Sequence, residues 1–373
     1  MAVLIPQTHL EFGSRFLQQL LRRGEENVFV SPASLGLALG MAAAGASGET
    51  LAAIEHTLGV DATVATKRAK RLFASFDTLP PGVAIEIANS LWAASGLPLS
   101  PRYAAAMRES YRAEVRNVDF GRPETITVIN DWVARVTHGQ IRSAIDQIDP
   151  SSILALVNAT YFHGLWEDPF DADDTVDHDF TTGSGGVTRV RLMAKSASFE
   201  YAEDSDLQAI RLPYKQDRFS LLVLLPRKPL SPSGFHDIAS PYSLERITAV
   251  LGHRRGHLRM PKFGIDYAAD LTAELQEMGM GRAFAADADF SALFDRNIPA
   301  FLSKVTHKTR LEIDEQGTTA AASTVFRVAA GLDEASTLDT PFAMTVDRPF
   351  LLLLTDNETD LILFLGVIGN PNP

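Results

Sequence analysis

The side chains that usually make or break bonds are scarce or badly arranged in this sequence. There is no cysteine, which removes thiolate nucleophiles, disulfides and Cys-ligated zinc together. No Gly-x-Ser-x-Gly turn presents a nucleophilic serine. No His-Glu-x-x-His pair offers two imidazoles to zinc, and no glycine-rich loop precedes a Lys-Ser or Lys-Thr pair to cradle a phosphate. A hydrolytic enzyme is therefore disfavoured, and no metal or cofactor is implied.

One stretch stands out instead. From Glu315 to Thr340 the chain reads Glu-Gln-Gly-Thr-Thr-Ala-Ala-Ala-Ser-Thr-Val-Phe-Arg-Val-Ala-Ala-Gly-Leu-Asp-Glu-Ala-Ser-Thr-Leu-Asp-Thr. Connections of this length are uncommon in compact domains. The stretch holds none of the chain's 20 prolines, and proline is the residue a central strand rejects. Gly317 through Thr324 are all small, so they could slide between two packed strands. At the strand period of two, Thr318, Ala320, Ala322 and Thr324 share one face, and the larger Val325 and Phe326 follow them. Such a segment is suited to strand addition. The plainer alternative is a mobile loop or a weak Ala-rich helix.

The elements that must position this segment are mixed. Leu10 to Arg23 has apolar residues at helical spacing. Ser31-Pro32 opens a second helix, with serine as cap and proline in the first turn; its body, Leu35 to Ala44, is apolar nearly all round and is predicted to be buried. A third helix starts at Ser47 and stops at Gly59. Val83 to Ile87 alternates like a strand, Thr125 to Gln140 is helical, and Ile153 to Phe162 is a long strand. Val187 to Leu225 is strand-rich, with Phe219 to Leu225 apolar enough to be covered on both faces. Phe350 to Thr355 and Leu361 to Val367 form a hairpin. No linker or repeat divides the chain, so one α+β domain spanning residues 1–373 is expected.

With 373 residues, 46% of them apolar, the chain can bury a sizeable core. A formal charge of −12 disfavours nucleic acid and anionic membranes as partners. No apolar run approaches the ~20 residues of a membrane helix. The amino end has no basic region followed by an apolar stretch, so no secretory signal is visible; the compartment stays open, cytoplasmic or secreted with a signal removed.

Several segments, in order, resemble the signatures of one family: Asn27-Val28-Phe29-Val30-Ser31-Pro32-Ala33-Ser34, Ile129-Asn130-Asp131-Trp132-Val133, Asn158-Ala159-Thr160-Tyr161-Phe162-His163-Gly164-Leu165-Trp166, Met260-Pro261-Lys262-Phe263, Ile313 through Thr324, and Asp347-Arg348-Pro349-Phe350. The chain resembles an inhibitory serpin, of a prokaryotic or intracellular kind. The resemblance implies three β-sheets with eight or nine helices, a metastable native state, and a reactive-centre loop at about 316–345. A target serine protease would cleave that loop, form an acyl-enzyme, and be trapped as the loop inserts into the large sheet. The nucleophile belongs to the protease.

The same resemblance assigns residues. Glu315, Gly317, Thr318, Thr319, Ala320, Ala321, Ala322, Ser323 and Thr324 match the hinge. Ser31, Ser34, Asn158 and His307 match the shutter beneath the large sheet, and Trp166, Lys262 and Glu315 match the breach where the strand enters. The family's spacing puts the scissile bond about sixteen residues after Glu315, among Ala330, Gly331 and Leu332. Counting back from Pro349 selects Leu338 instead. These side chains suit chymotrypsin-, elastase- or subtilisin-like pockets rather than trypsin-like ones. Lys67, Arg68, Lys70 and Arg71 form a basic run that binds a polysaccharide activator in some relatives. Here it reads as a solvated helix face, so no such activator is expected, and the molecule is expected to be a monomer. The alternative function is a non-inhibitory serpin acting as carrier or chaperone.

Overall fold

The computed structural model describes residues 7–296, 298–318 and 340–372. Its frame is a large mixed sheet. Strand β2 (Val83–Ala94) lies between β3 (Glu114–Val118), parallel to it, and β4 (Leu154–Leu165), antiparallel to it. β4 pairs in parallel with β10 (Leu302–Ile313), and β10 pairs antiparallel with the second half of β9 (Gly252–Asp270).

Two long strands carry the ladder into the remaining sheets. The first half of β9 pairs with β6 (Val187–Glu203) and, on its other edge, with β12 (Phe342–Thr345); β6 also pairs with β5 (Val176–Thr181). The end of β6 leads into a barrel-like run of β7 (Leu207–Pro213), β8 (Phe219–Pro226), β13 (Phe350–Asp356), β14 (Leu361–Ile368) and β1 (Asn27–Val30). Pro261 is tolerated inside β9 because it sits at the handover. Pairing with β12 ends at Arg259 and pairing with β10 begins at Phe263, so no ladder bond is asked of its missing N–H.

Eight α-helices are present among the described residues. Those that matter here are α1 (Gln7–Leu21), α2 (Pro32–Gly45), α3 (Gly48–Leu58), α4 (Ala62–Phe76), α5 (Pro101–Tyr111) and α6 (Glu124–Val136). Ser31 caps α2 through a bond from the Ser34 N–H, and nearly every residue of that helix is buried, in keeping with its uniformly apolar sequence. α3 ends at Gly59 in the left-handed region, where glycine carries no Cβ penalty. All eight residues of β8 are buried, and β13 and β14 form the terminal hairpin.

Two expectations needed revision. β2 continues to Ala94 rather than ending near Ile87, because Ala88 to Ala93 is covered on both faces and so loses the alternation that marks a half-exposed strand. Helix α6 stops at Val136, short of Gln140. There the Thr137 hydroxyl bonds to the Val133 carbonyl and receives the Ile141 N–H, and His138 and Gly139 turn the chain with positive φ. The helix packs on the outer face of the large sheet, with Trp132 edge-on to Trp92 at 6.0 Å.

Candidate functional site

β4 and β10 form a parallel pair, so any strand between them that follows β10 directly in sequence must run antiparallel to both. The chain does this. After Ile313 it reverses through Asp314, whose carboxylate receives the Gln316 and Gly317 N–H groups. Gly317–Thr318, strand β11, then enters the head of the seam. Thr318 pairs with Ile313 on one side and Gly164 on the other, both antiparallel. Below this point the seam is closed, with β10 and β4 in direct register from Lys304↔Ala155 to Arg310↔Tyr161.

The head of the seam is made for close backbone approach. Gly317 has φ +155, and a Cβ there would lie 2.0 Å from the Gly164 carbonyl oxygen, so only glycine fits. Gly317→Ala is expected to drive Gly317–Thr318 out of the sheet. Hydrogen exchange checks this: the Thr318 amide should lose its protection while amides in the core of β4 keep theirs.

Trp166, Lys262 and Glu315 converge around that entry. Glu315 is 6% exposed; its carboxylate takes Lys262 Nζ at 2.7 Å and the Thr175 hydroxyl at 2.9 Å. Burial opposes its charge, yet the bonds from Lys262, its own backbone and Thr175 outweigh burial and hold its pKa below the usual value. Trp166 donates its indole N–H to the Asp314 carbonyl and its backbone N–H to that of Gln316. It stacks on Tyr214 at 4.4 Å, and the Tyr214 hydroxyl meets Thr318 Oγ1 at 2.7 Å. Thr318 itself is fully buried.

Midway down the closed seam, Ser31, Ser34, Asn158 and His307 meet in one buried row. His307 Nε2 accepts the Ser31 N–H at 2.9 Å, which leaves Nδ1 as the donor to Asn158 Oδ1 at 2.5 Å. Asn158 Nδ2 donates to Ser34 Oγ and to Asn89 Oδ1, and Thr160 also reaches Ser34. The row crosses three strands in register, Asn89↔Asn158 and Asn158↔His307. Parting β4 from β10 to admit a strand would double their ~4.8 Å spacing and break the His307–Asn158 bond.

Burial lowers the His307 pKa to about 3, so the ring is neutral in the folded protein. Unfolded, it titrates near 6.5. The unfolded state thus binds the extra proton between these values, and the stability His307 contributes is lost as pH falls from about 6.5 towards 3. His307→Gln is expected to flatten the pH dependence of the unfolding free energy across that window by up to one proton; denaturant titrations at several pH values read this.

Asn89, Thr160, Thr175 and Tyr214 were not singled out in the sequence. For Asn89 a signal existed, an amide between Ala88 and Ser90 in a strand that is apolar apart from Ser90 and Glu86. Thr319 to Thr324 and the scissile-bond candidates Ala330, Gly331, Leu332 and Leu338 lie outside the described residues. Lys67, Arg68, Lys70 and Arg71 lie on α4 and are exposed.

A sheet whose middle seam is closed below and entered from above by the segment following β10 is the architecture of the serpins, and sequence comparison agrees. The family model described as Serpin (serine protease inhibitor) matches residues 7–371. Iripin-2 of Ixodes ricinus is 32% identical over 96% of this chain and 91% of its own. Among solved structures, thyroxine-binding globulin in complex with thyroxine superposes with a TM-score of 0.87 at 27% identity, covering 98% of this chain and 99% of that one. The thermophilic serpin Tengpin in its native state gives 0.86 at 26% identity, covering 98% and 95%. The chain belongs to the serpin family, whose members are mostly protease inhibitors rather than enzymes.

Proposed function

We propose that this serpin is an irreversible inhibitor of a serine endopeptidase of chymotrypsin-, elastase- or subtilisin-like specificity, acting as a monomer without cofactor or polysaccharide activator. Residues 1–373 are read as one serpin domain with its reactive-centre loop at about 316–345. The observation that carries this reading is β11: the first hinge residues already pair between β4 and β10 at the head of the seam, so each further step exchanges direct β4–β10 pairing for bonds on both sides of the incoming strand.

The register makes the trap specific. Six residues on from Thr318, Thr324 would fall between Asn158, six back from Gly164, and His307, six back from Ile313. Inserted this far, the hinge puts a threonine where the His307–Asn158 bond has been opened, and a hydroxyl can both donate and accept. Ala320 and Ala322 would lie on the same face above it, small enough to pass. Cleavage at Ala330, Gly331 or Leu332 leaves enough chain to reach the level of Leu154, the lower end of β4; cleavage at Leu338 leaves more.

The test is to incubate the protein with chymotrypsin, pancreatic elastase and subtilisin and to look for a covalent complex that survives denaturing electrophoresis. Amino-terminal sequencing of the released carboxy-terminal fragment identifies the bond. Complete turnover of the loop with no complex would overturn the reading. It would favour the carrier alternative, for which the fold similarity to the thyroxine complex is the motivating observation.

A further inference from the structure

Both ends of the reactive-centre loop rest on β9. At the hinge, Glu315 holds Lys262 at 2.7 Å; at the far end, Phe342 opens β12 opposite Gly256. Six residues of β9 separate these two points, about 20 Å at the rise of a strand. Residues 319–339, which join them, hold far more chain than that span needs.

The face of β9 between and beside the two ends is basic. His253, Arg255, His257 and Arg259 occupy alternate positions and are all exposed, so they stand in one row. Their neighbours are short: Ser198, Ser196 and Ala194 on β6, Ala343 and Thr345 on β12. Around His257 and Arg259 these short side chains leave a depression of about 360 Å³, with no carboxylate among the described residues that line it. Glu200 lies 3.8 Å from His253 but bonds Arg211 at 2.9 Å. His257 Nδ1 meets Ser196 Oγ at 2.6 Å. The Arg259 side chain makes no hydrogen bond or ion pair among the described residues.

The loop carries the opposite charge at one end. Its three acids, Asp333, Glu334 and Asp339, fall in the last seven residues of 319–339, shortly before β12. Asp339-Thr340-Pro341 is a turn-forming sequence, and Pro341 has no N–H with which to extend the β12 ladder. A reversal there lays the preceding residues back along β9, and the spacing then matches. Six residues separate Asp333 from Asp339, and six separate His253 from Arg259. Asp339 comes level with His253 and Arg255, while Asp333 and Glu334 reach His257 and Arg259.

We propose that the basic row of β9 is the docking surface for the loop's own acidic arm, residues 333–339. Docked, the arm holds the Leu338–Asp339 bond against the sheet and leaves Ala330, Gly331 and Leu332 standing clear, so the row selects the bond a protease meets. A single exposed ion pair is weak, but three carboxylates against four basic groups at matched spacing act as a network. The inference rests on the reading of residues 316–345 as the reactive-centre loop, and it decides between the two positions that counting along the chain selects for the scissile bond.

Leu332–Asp333 and Leu338–Asp339 are the same dipeptide, so a protease that cuts after apolar residues meets equal chemistry at both, and its choice reports presentation. The intact chain is treated with chymotrypsin and the earliest fragments are identified by mass spectrometry. At low salt, cleavage after Leu332 is expected to outpace cleavage after Leu338 about tenfold. His257→Ala/Arg259→Ala and Arg255→Ala/Arg259→Ala, all at exposed positions, should each narrow that ratio about threefold or more. So should about 1 M salt, where the Debye length shrinks to ~3 Å. Arg71→Ala, which removes a positive charge from α4, should leave it unchanged. Equal or preferred cleavage after Leu338 in the parent, or a ratio that neither the β9 variants nor salt moves, would overturn the docking. Resistance of both bonds would instead overturn the loop reading beneath it.

Discussion

Thr318→Arg is expected to convert the protein from an inhibitor into a substrate. Thr318 is already fully buried in the sheet, paired to Gly164 and Ile313 and bonded to Tyr214. A guanidinium at that level has Trp166 and Tyr214 beside it and no carboxylate paired to the residue it replaces. An unpaired buried charge costs several kcal/mol, and each 1.4 kcal/mol of added barrier slows a step tenfold. Insertion would then be delayed about a hundredfold or more, and deacylation would win. With whichever protease forms the complex, the fraction of protease trapped should fall below about one-tenth while loop cleavage continues. Thr318→Ser keeps the hydroxyl and should behave like the parent. Full complex formation by the arginine variant would falsify the insertion route, because every residue of the hinge must follow Thr318 down the same seam.

How much of this was legible beforehand divides along a physical line. Helix α2 and strand β8 could be read because their burial is uniform, so composition alone reports it. The second half of β2 could not, because it is covered on both faces and shows no period. β9 does alternate, with Leu258, Met260, Phe263, Ile265 and Tyr267 buried between exposed polar residues, and only its Arg- and His-rich outer face and the proline at its handover obscure that signal.

The site divides in the same way. The hinge announces itself by small side chains and absent proline, which are properties of contiguous residues. The buried row does not, because it is set by lateral register. Asn89, Asn158 and His307 are far apart in sequence and meet only because β2, β4 and β10 are aligned as they are. Sequence could offer Asn158 and His307 through family resemblance, and Asn89 as an amide in a largely apolar strand, but not the register that joins Asn89 to the row.

Cutting the loop is expected to raise the melting temperature by about 20 °C or more. Before the cut, one parallel ladder joins β4 to β10, and among the described residues Gly317–Thr318 has entered at its head. The segment is anchored at both ends, at Thr318 in the seam and at Phe342, which pairs with Gly256 of β9. A strand run to the foot of β4 would carry its lower end about 33 Å from the head at ~3.3 Å per residue, and the intact chain beyond would have to climb back to β12. Cleavage removes that return path. The freed segment can then replace one parallel ladder by two antiparallel ones, each somewhat more stable per residue. A gain on the order of 10 kcal/mol, comparable to a whole domain's stability, converts to tens of degrees at ~2–4 °C per kcal/mol. Scanning calorimetry of intact and nicked protein at one scan rate measures the difference, and nicked Thr318→Arg supplies the control. The parent should show the rise and the arginine variant should lose most of it. Identical melting of intact and nicked parent would mean that the segment beyond Thr318 stays out of the sheet, and that the closed seam between β4 and β10 is the end state of this fold rather than its loaded form.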